Sequence, residues 1–475
     1  MKCRARVRLL TAIACVTTHA LFAQPILSPL GGGVGTFGVY RMETDPSDQK
    51  LYIGGGFGLV EDSLFPAITA WNSNGYERLG CGLHNGTWDC VTSWNGSGTG
   101  PVTDIEFWNG ELYTCGAFSH SGQTSVSRIA RWDGTAWQPL GLGADQTIGS
   151  IRSLPDGFYA TGYFSVIDTV PALGLARWDG TRWHSVHDLP DINSGFGTNS
   201  IFDVCEYNGM LYIAGNFGGP YGYRISRWNG TVWEPVGNGF LGVDAWVYRM
   251  EVHDGLLYIA GVFSTTDYPG NPGSGIVAYD GSTWYDLGGG TTGSVNNAVN
   301  ELLWWHDTLY IAGSFNMIGG VPSDGLARWD GTQWCSLVPP NYFNYASNVI
   351  GIYHDSLYVG GIFTTAGQDS VFRIGKWASG DYTTGCGTLS VNDLPDAENP
   401  LTVWPNPASV ELSVTSANFR PDDHLTLVNA LGQVVGKGPP GAKRLPVGHL
   451  ARGLYTLALT DADGRYVERA RVVLQ

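Results

Sequence analysis

The chain has 475 residues, enough for one large domain and one small one with an ample core. Its 42 acids against 26 bases give a net charge of −16, which argues against nucleic acid or an anionic membrane as a partner, since either needs a basic footprint. With 68 glycines and 18 tryptophans but only 14% charged residues, the composition is that of a turn-rich all-β protein and excludes low-complexity disorder.

The first residues read as a secretory signal over 1–23. Lys2, Arg4, Arg6 and Arg8 supply the charged start, Leu9–Val16 the apolar run, and Ala23 the small residue before cleavage. The run is too short to cross a bilayer, so no transmembrane segment is expected once the signal is removed. Of the cysteines that remain in an exported chain, Cys81 and Cys90 flank a short insert and are expected to pair. Cys335 and Cys386 are placed to tie the sixth repeat to the seventh. No spacing suggests zinc, and no metal or other cofactor is expected.

From Leu51 onward one phrase recurs seven times: Leu51–Phe57, Leu112–Phe118, Phe158–Phe164, Leu211–Phe217, Leu257–Phe263, Leu309–Phe315 and Leu357–Phe363. Each is an LY-x-x-G-x-F variant, and the closing Phe returns every 46 to 61 residues. Six are followed by a second phrase: AWNSNGY, RWDGTAW, RWDGTRW, RWNGTVW, AYDGSTW and RWDGTQW; the seventh fades to KWASGDY. A period of this length marks a propeller or a stacked array. Within a repeat, Asn109-Gly110 between β-rich runs signals a tight hairpin, and Asp133-Gly134 signals a second. That makes four antiparallel strands per repeat, which bury both faces only by stacking on their neighbours. The pattern predicts seven four-stranded blades in a β-propeller over 24–386. Ile26–Leu30 resembles the outer-strand phrase that the seventh repeat lacks, and is expected to close the last blade and hide an edge.

These repeats resemble kelch-like propellers, through the glycines after the second strand and the W-turn-W of the outer hairpin. They are closer still to the LY(I/V)GGxF…WDGxxW repeats of secreted propellers such as the fungal cortical polarity marker type. The resemblance speaks for fold and little for function.

After Cys386 the repeat stops. A polar linker, 387–399, leads to a last segment, 400–475, whose marks are Pro405–Ser409 (PNPAS), Leu431–Gln433 after an aliphatic strand, Leu450–Tyr455 (L-x-x-G-x-Y) and a final strand Val467–Leu474. Period-2 alternation through these runs fits a small Ig-like β-sandwich. The four marks in this order resemble the type A C-terminal sorting domain of the type IX secretion system. That resemblance implies passage across the outer membrane through the secretion machinery and a secreted or surface-attached product.

Two regions are candidates for function. In a four-stranded blade the tight 1–2 and 3–4 turns lie on one face, and the variable 2–3 and 4–1 connections on the other. Variable loops on a rigid scaffold carry binding, which singles out Tyr221, Tyr223, Trp246, Tyr268, Tyr342 and Tyr345 with Asp191 and Asp244. Aromatic platforms suit sugar rings or peptide side chains. The second region is the central channel. Aligned on V-x-x-[MILV], the first strands place Arg41, Asp104, Ser150, Asp203, Arg249, Glu301 and Gly351 in one column, either paired among themselves or forming a channel-mouth site for a cation or polar ligand. The Asp-Gly turns lack the residue that an Asp-box of sialidases places between Asp and Gly. G-x-S-x-G, P-loop and HExxH patterns are absent. The sequence therefore favours a non-catalytic, exported module binding a glycan or a surface protein, with a kelch-like or sialidase-like enzyme acting on carbohydrate as the alternative.

Overall fold

The computed structural model describes residues 26–90, 100–187, 189, 200–240, 245–264, 273–292, 297–379, 401–405, 408–416, 419–429, 434–450, 452–460 and 466–474. The signal segment, the linker, Asp191, Asp244, Tyr268 and Cys386 lie outside these residues. The protein is all-β: among the described residues every regular element is a strand, and the strands form many small antiparallel sheets.

Seven of these sheets carry four principal strands each, in chain order in all but the last. Their first strands are Val34–Thr44, Val102–Trp108, Ile148–Leu154, Ser200–Tyr207, Trp246–His253, Ala298–Trp305 and Ser347–Ile352, and the sheets are numbered 1 to 7 accordingly. Sheet 2 shows the local logic. Val102–Trp108 and Glu111–Gly116 are joined at Asn109 (φ 51°) and Gly110 (φ 79°), the two positive-φ residues of a tight hairpin turn. Leu112 through Gly116 are all buried, because neighbouring sheets cover both faces. In sheets 6 and 7 the same turn is His306-Asp307 and His354-Asp355, again with positive φ but no glycine.

The first strand of each sheet packs against the first strands before and after it, and Ser347–Ile352 packs against Val34–Thr44, so the seven sheets close on themselves. The fourth strand of sheet 7 is Ile26–Pro29, paired antiparallel with Ile374–Ser379. The outer rims are tied in series. Trp137 Nε1 donates to the Leu79 carbonyl (3.2 Å), Trp183 to Leu140 (3.3 Å), Trp233 to His187 (3.3 Å), and Trp334 to Leu287. Across the closure, Tyr76 takes the tryptophan's place and its hydroxyl donates to the Leu30 carbonyl at 2.7 Å.

Every first strand carries a β-bulge at the same point. Its register skips one residue: Tyr40, Thr103, Gly149, Phe202, Tyr248, Asn300 and Asn348 in turn. This corrects the seventh member of the interior column. Val349, opposite Gly360, occupies the place that Arg41 takes opposite Gly54, and Gly351 lies two residues further on. Ser347-Asn348-Val349 lacks the branched residue that opens this stretch in the other repeats, so the pattern matched the next apolar run.

The 2–3 connections are less open than their variability suggests. His120–Ser121 pairs with Thr124–Ser125, Val166–Ile167 with Val170–Pro171, Met317–Ile318 with Val321–Pro322, and Thr365–Ala366 with Asp369–Ser370. Each small hairpin also bonds the connection entering its own sheet, through His84–His120, Ala144–Ile167, Thr291–Ile318 and Phe343–Ala366. Cys81 and Cys90 form a disulfide; Cys335 is disulfide-bonded, and its expected partner lies outside the described residues. Cys115 and Cys205 are buried free thiols.

In the C-terminal segment, Thr402–Trp404, Glu411–Thr415 and Arg444–Pro446 form one sheet. Val434–Lys437, His424–Asn429, Gly453–Thr460 and Tyr466–Leu474 form another. Leu412, Val414 and Leu445 from the first share an apolar core with Leu425, Leu427, Leu457 and Val472 from the second.

Candidate functional site

The bulges determine what faces the centre. Beyond each bulge the strand resumes its alternation, and the first residue after it turns inward. Arg41 Nε lies 2.9 Å from Asp104 Oδ1, and its terminal nitrogen 2.9 Å from Glu301 Oε2. Arg249 sits between the same two acids, 3.6 Å from Asp104 and 3.7 Å from Glu301. Asp104 also accepts from Ser150 Oγ (2.6 Å) and the Ile151 amide (3.1 Å). Four residues from sheets 1, 2, 5 and 6 are thus one cluster, nearly sealed from water.

Asp203 is not part of that cluster. It takes a bidentate pair from Arg152 (2.8 and 2.9 Å), and amide donors from Val204 (3.0 Å) and Met250 (2.7 Å). Arg152 also reaches Glu251 at 2.9 Å. Arg152, Glu43, Glu106 and Glu251 form a second layer that the column reading missed. The signal was present: each stands two residues beyond a column member, on the same strand face. Burial opposes the Arg41 charge, but Asp104 and Glu301 outweigh it and hold the group above its ordinary value; Asp203 and Glu251 do the same for Arg152. Burial also raises Asp104, yet Arg41, Arg249 and Arg152 bring it below the carboxylate range. In the second layer burial wins. Glu43 is pushed up to about 7 despite Arg41, and Glu106 to about 8, with Glu43 adding to the effect.

The loop-face candidates separate. Tyr342 is only 8% exposed, its hydroxyl accepts from the Leu27 amide at 3.1 Å, and it packs in the core between sheets 6 and 7 with Phe343. It is a closure residue and offers no platform, because its ring is spent on holding the N-terminal strand. Tyr221 and Tyr223 are half-buried; the Tyr221 carbonyl accepts from Ser226 Oγ and the Tyr223 carbonyl from the Phe240 amide. Tyr345 is 62% exposed on the connection into sheet 7. Trp246, 40% exposed, belongs to a group that sequence reasoning did not assemble. It meets Phe202 (6.3 Å between centroids) and Tyr248 (6.1 Å), and Phe202 meets Tyr248 (5.8 Å) and Tyr163 (6.1 Å). Phe202 and Tyr248 are bulge residues, Trp246 opens the first strand of sheet 5, and Tyr163 directly follows the second strand of sheet 3. All four therefore sit where the sheets meet the 2–3 and 4–1 connections, at one mouth of the ring.

The outer Asp-Gly turns have a structural role. Asp133 Oδ1 accepts from the amides of Thr135 and Ala136 (both 2.8 Å) and from Thr135 Oγ1. Asp179, Asp280 and Asp330 repeat the arrangement, and Asn229 accepts from its two amides in the fourth copy. His306 and His354 lie in the 1–2 turns of sheets 6 and 7, whereas His253 ends the first strand of sheet 5 and stacks on Trp304 at 3.7 Å. Among the described residues no group of metal-ligating side chains converges.

Residues 402–473 match the family described as "Secretion system C-terminal sorting domain". The chain therefore carries a type IX sorting domain, engages that secretion machinery, and is a secreted or cell-surface protein. No curated protein matches it. Among solved structures it is similar to the extracellular domain of a hybrid two-component system of B. thetaiotaomicron, with 12% identity and a TM-score of 0.46. That match covers 96% of this chain and 59% of the other, so the chain spans about three fifths of its length. It is also similar to PorZ, described as an essential bacterial surface component of the type-IX secretion system of Porphyromonas gingivalis, at 12% identity over 92% of this chain and 65% of that one, TM-score 0.33. The WD40 β-propeller domain of Doa1 matches at 11% identity over 73% and 95%, TM-score 0.34. All three scores lie below 0.5, too low to carry fold or function from those proteins to this chain.

Proposed function

We propose that residues 24–386 are a kelch-like, seven-bladed β-propeller that binds a glycan or a surface protein without chemistry, on the face bearing the 2–3 and 4–1 connections. Residues 1–23 are its export signal. Residues 387–399 link it to an Ig-like sandwich, 400–475, that delivers it to the outside of the cell. Seven sequential four-stranded sheets closing on themselves support the propeller, and two sheets around one core support the sandwich.

The observation that carries the binding reading is the distribution of variety. Turns, tryptophan ties and second strands repeat nearly unchanged, whereas the seven bulge residues and the connections beside them differ from sheet to sheet, all on one face. The enzyme alternative loses support from the arginines. A sialidase-like site needs arginines open to a substrate carboxylate, and here Arg41 and Arg249 are each held between Asp104 and Glu301.

The test is a glycan array and a panel of purified outer-surface proteins probed with the full chain. Saturable binding to one of them, weakened by Tyr221→Ala, Trp246→Ala or Tyr345→Ala but not by Val232→Ala on the outer turn, is the expected result. Absence of saturable binding to either set, with turnover of an oligosaccharide instead, would reverse it.

A further inference from the structure

The four rings at the mouth carry the reading further, resting on the proposed binding role. A β-bulge re-aims the side chain of its extra residue, and bulges gather where a protein presents groups to a ligand. In sheets 4 and 5 the re-aimed residues are Phe202 and Tyr248. Trp246 and Tyr163 flank them, 40% and 45% exposed. Their ring planes meet at 57° (Tyr163 to Phe202), 62° (Phe202 to Trp246), 43° (Phe202 to Tyr248) and 76° (Trp246 to Tyr248). Two of the pairs meet edge to face and two are tilted, none is stacked flat, and Tyr163 and Trp246 keep much of their surface open.

Three features select the ligand. The centroids are 5.8 to 6.3 Å apart, so the rings form a continuous surface with no gap between them for a quaternary ammonium to enter as in an aromatic cage. The charges beneath are already matched: Asp203, next to Phe202, is taken by Arg152, and Arg249, next to Tyr248, lies between Asp104 and Glu301. Neither a phosphate nor a carboxylate finds a free counter-charge there. The next two bulge residues are amides, Asn300 and Asn348, 3.5 Å apart, and burial raises the Tyr248 phenol to about 12, so it stays a neutral donor and acceptor. Partly exposed aromatic rings, with neutral hydrogen-bonding groups at the equivalent bulges of the next two sheets, suit a ligand with apolar C–H faces and hydroxyl edges.

We infer that Tyr163, Phe202, Trp246 and Tyr248 form a stacking platform for a hexopyranose unit of a neutral oligosaccharide, with Asn300 and Asn348 on its polar flank.

The experiment is calorimetric titration of the full chain with cellohexaose, mannohexaose and maltohexaose, and with hexaproline and tetramethylammonium as competitors of different chemistry. One hexaose is expected to saturate. Trp246→Ala and Tyr163→Ala are each expected to weaken it about tenfold or more, as removing a central aromatic contact does, and Trp246→Phe to weaken it less. Both alanine variants should keep the parent unfolding midpoint, since the two rings are largely outside the core. Hexose binding that ignores both alanines but falls with Tyr345→Ala would overturn the platform and leave the binding role standing. Binding of hexaproline or tetramethylammonium in place of all three sugars would overturn the carbohydrate assignment. If no sugar binds here and the glycan and surface-protein screens are also blank, both readings fall.

Discussion

The outer turn and the inner mouth of one repeat obey opposite rules. At the rim, Asp133, Asp179, Asp280 and Asp330 make the same hydrogen bonds in copy after copy, and even Asn229 keeps the two amide contacts. At the mouth, the bulge delivers Tyr, Thr, Gly, Phe, Tyr, Asn and Asn to equivalent places. A residue that must complete a turn's hydrogen bonds has few substitutes. A residue standing clear of the ladder has many, so the same backbone displays different chemistry round the ring. Repetition here marks what holds the ring together, and departure from it marks what the ring presents.

Between rim and mouth lies the charged interior, where the contrast can be broken hardest. Asp203→Ala removes the bidentate partner of Arg152, leaving it Glu251 and the Met250 carbonyl, and strips the Met250 amide of its acceptor. A loss of about 3–5 kcal/mol is expected, as for other severed buried ion pairs, read from denaturant unfolding of the ring; a loss under about 1 kcal/mol would show that water in the channel already solvates Arg152. Next is the double variant Cys81→Ser, Cys90→Ser. The bridge closes a loop with a sequence separation of 9, and chain entropy assigns it about 2–3 kcal/mol. A smaller shift would mean that the insert stays tethered by other contacts, among them Arg78 over Trp88 at 5.1 Å.

The third test is pH. Glu43 and Glu106 titrate in the folded ring near 7 and 8, above the carboxyl value of 4.5 in the unfolded chain. The folded state thus holds more protons between those limits, and stability is lost as pH rises from about 5 to about 8. Glu106→Gln should remove about 1–2 kcal/mol of that fall, with channel water screening the remainder; an unchanged slope in unfolding midpoint against pH would refute it. Trp183→Phe deletes the donor to Leu140, at about 1 kcal/mol, and adds the cost of a small void; Trp183→Ala costs more, because the cavity is larger. The smallest effect is at the rim. Asp133→Asn should lower the thermal midpoint slightly at neutral pH and not at all in strong acid, since Asn229 keeps the two amide contacts in the equivalent turn. It should remove a stabilisation that the Asp133 carboxylate, held low by the Ala136 and Thr135 donors, loses only in acid.

Much of the all-β architecture is legible in local chemistry: positive-φ turn pairs, alternation, and tryptophans at a fixed offset. The mouth is not. A bulge adds one residue without disturbing the apolar pattern on either side, so nothing in the string Ile201-Phe202-Asp203 says that Phe202 is turned aside. The four rings come from three repeats, and their meeting depends on the ring's curvature. Tyr342 shows the reverse difficulty. In sequence it is one more aromatic in a variable stretch, and only the arrival of Leu27 from the far end of the chain makes it core. The second charged layer was readable by the two-residue period, counted from the column that the sequence already places in the channel.

The closure of sheet 7 has a consequence for how the molecule is made. Arg373 donates to the Val34 carbonyl across 339 positions of chain, and Ile26–Pro29 finds its partner only in Ile374–Ser379. Each doubling of loop length costs only about 0.6 kcal/mol, so such a seal is cheap once formed. It nevertheless needs both ends of the chain: until the seventh repeat meets Ile26–Pro29, two strand borders stay unpaired. An unsealed chain is therefore the form most exposed to edge-to-edge pairing.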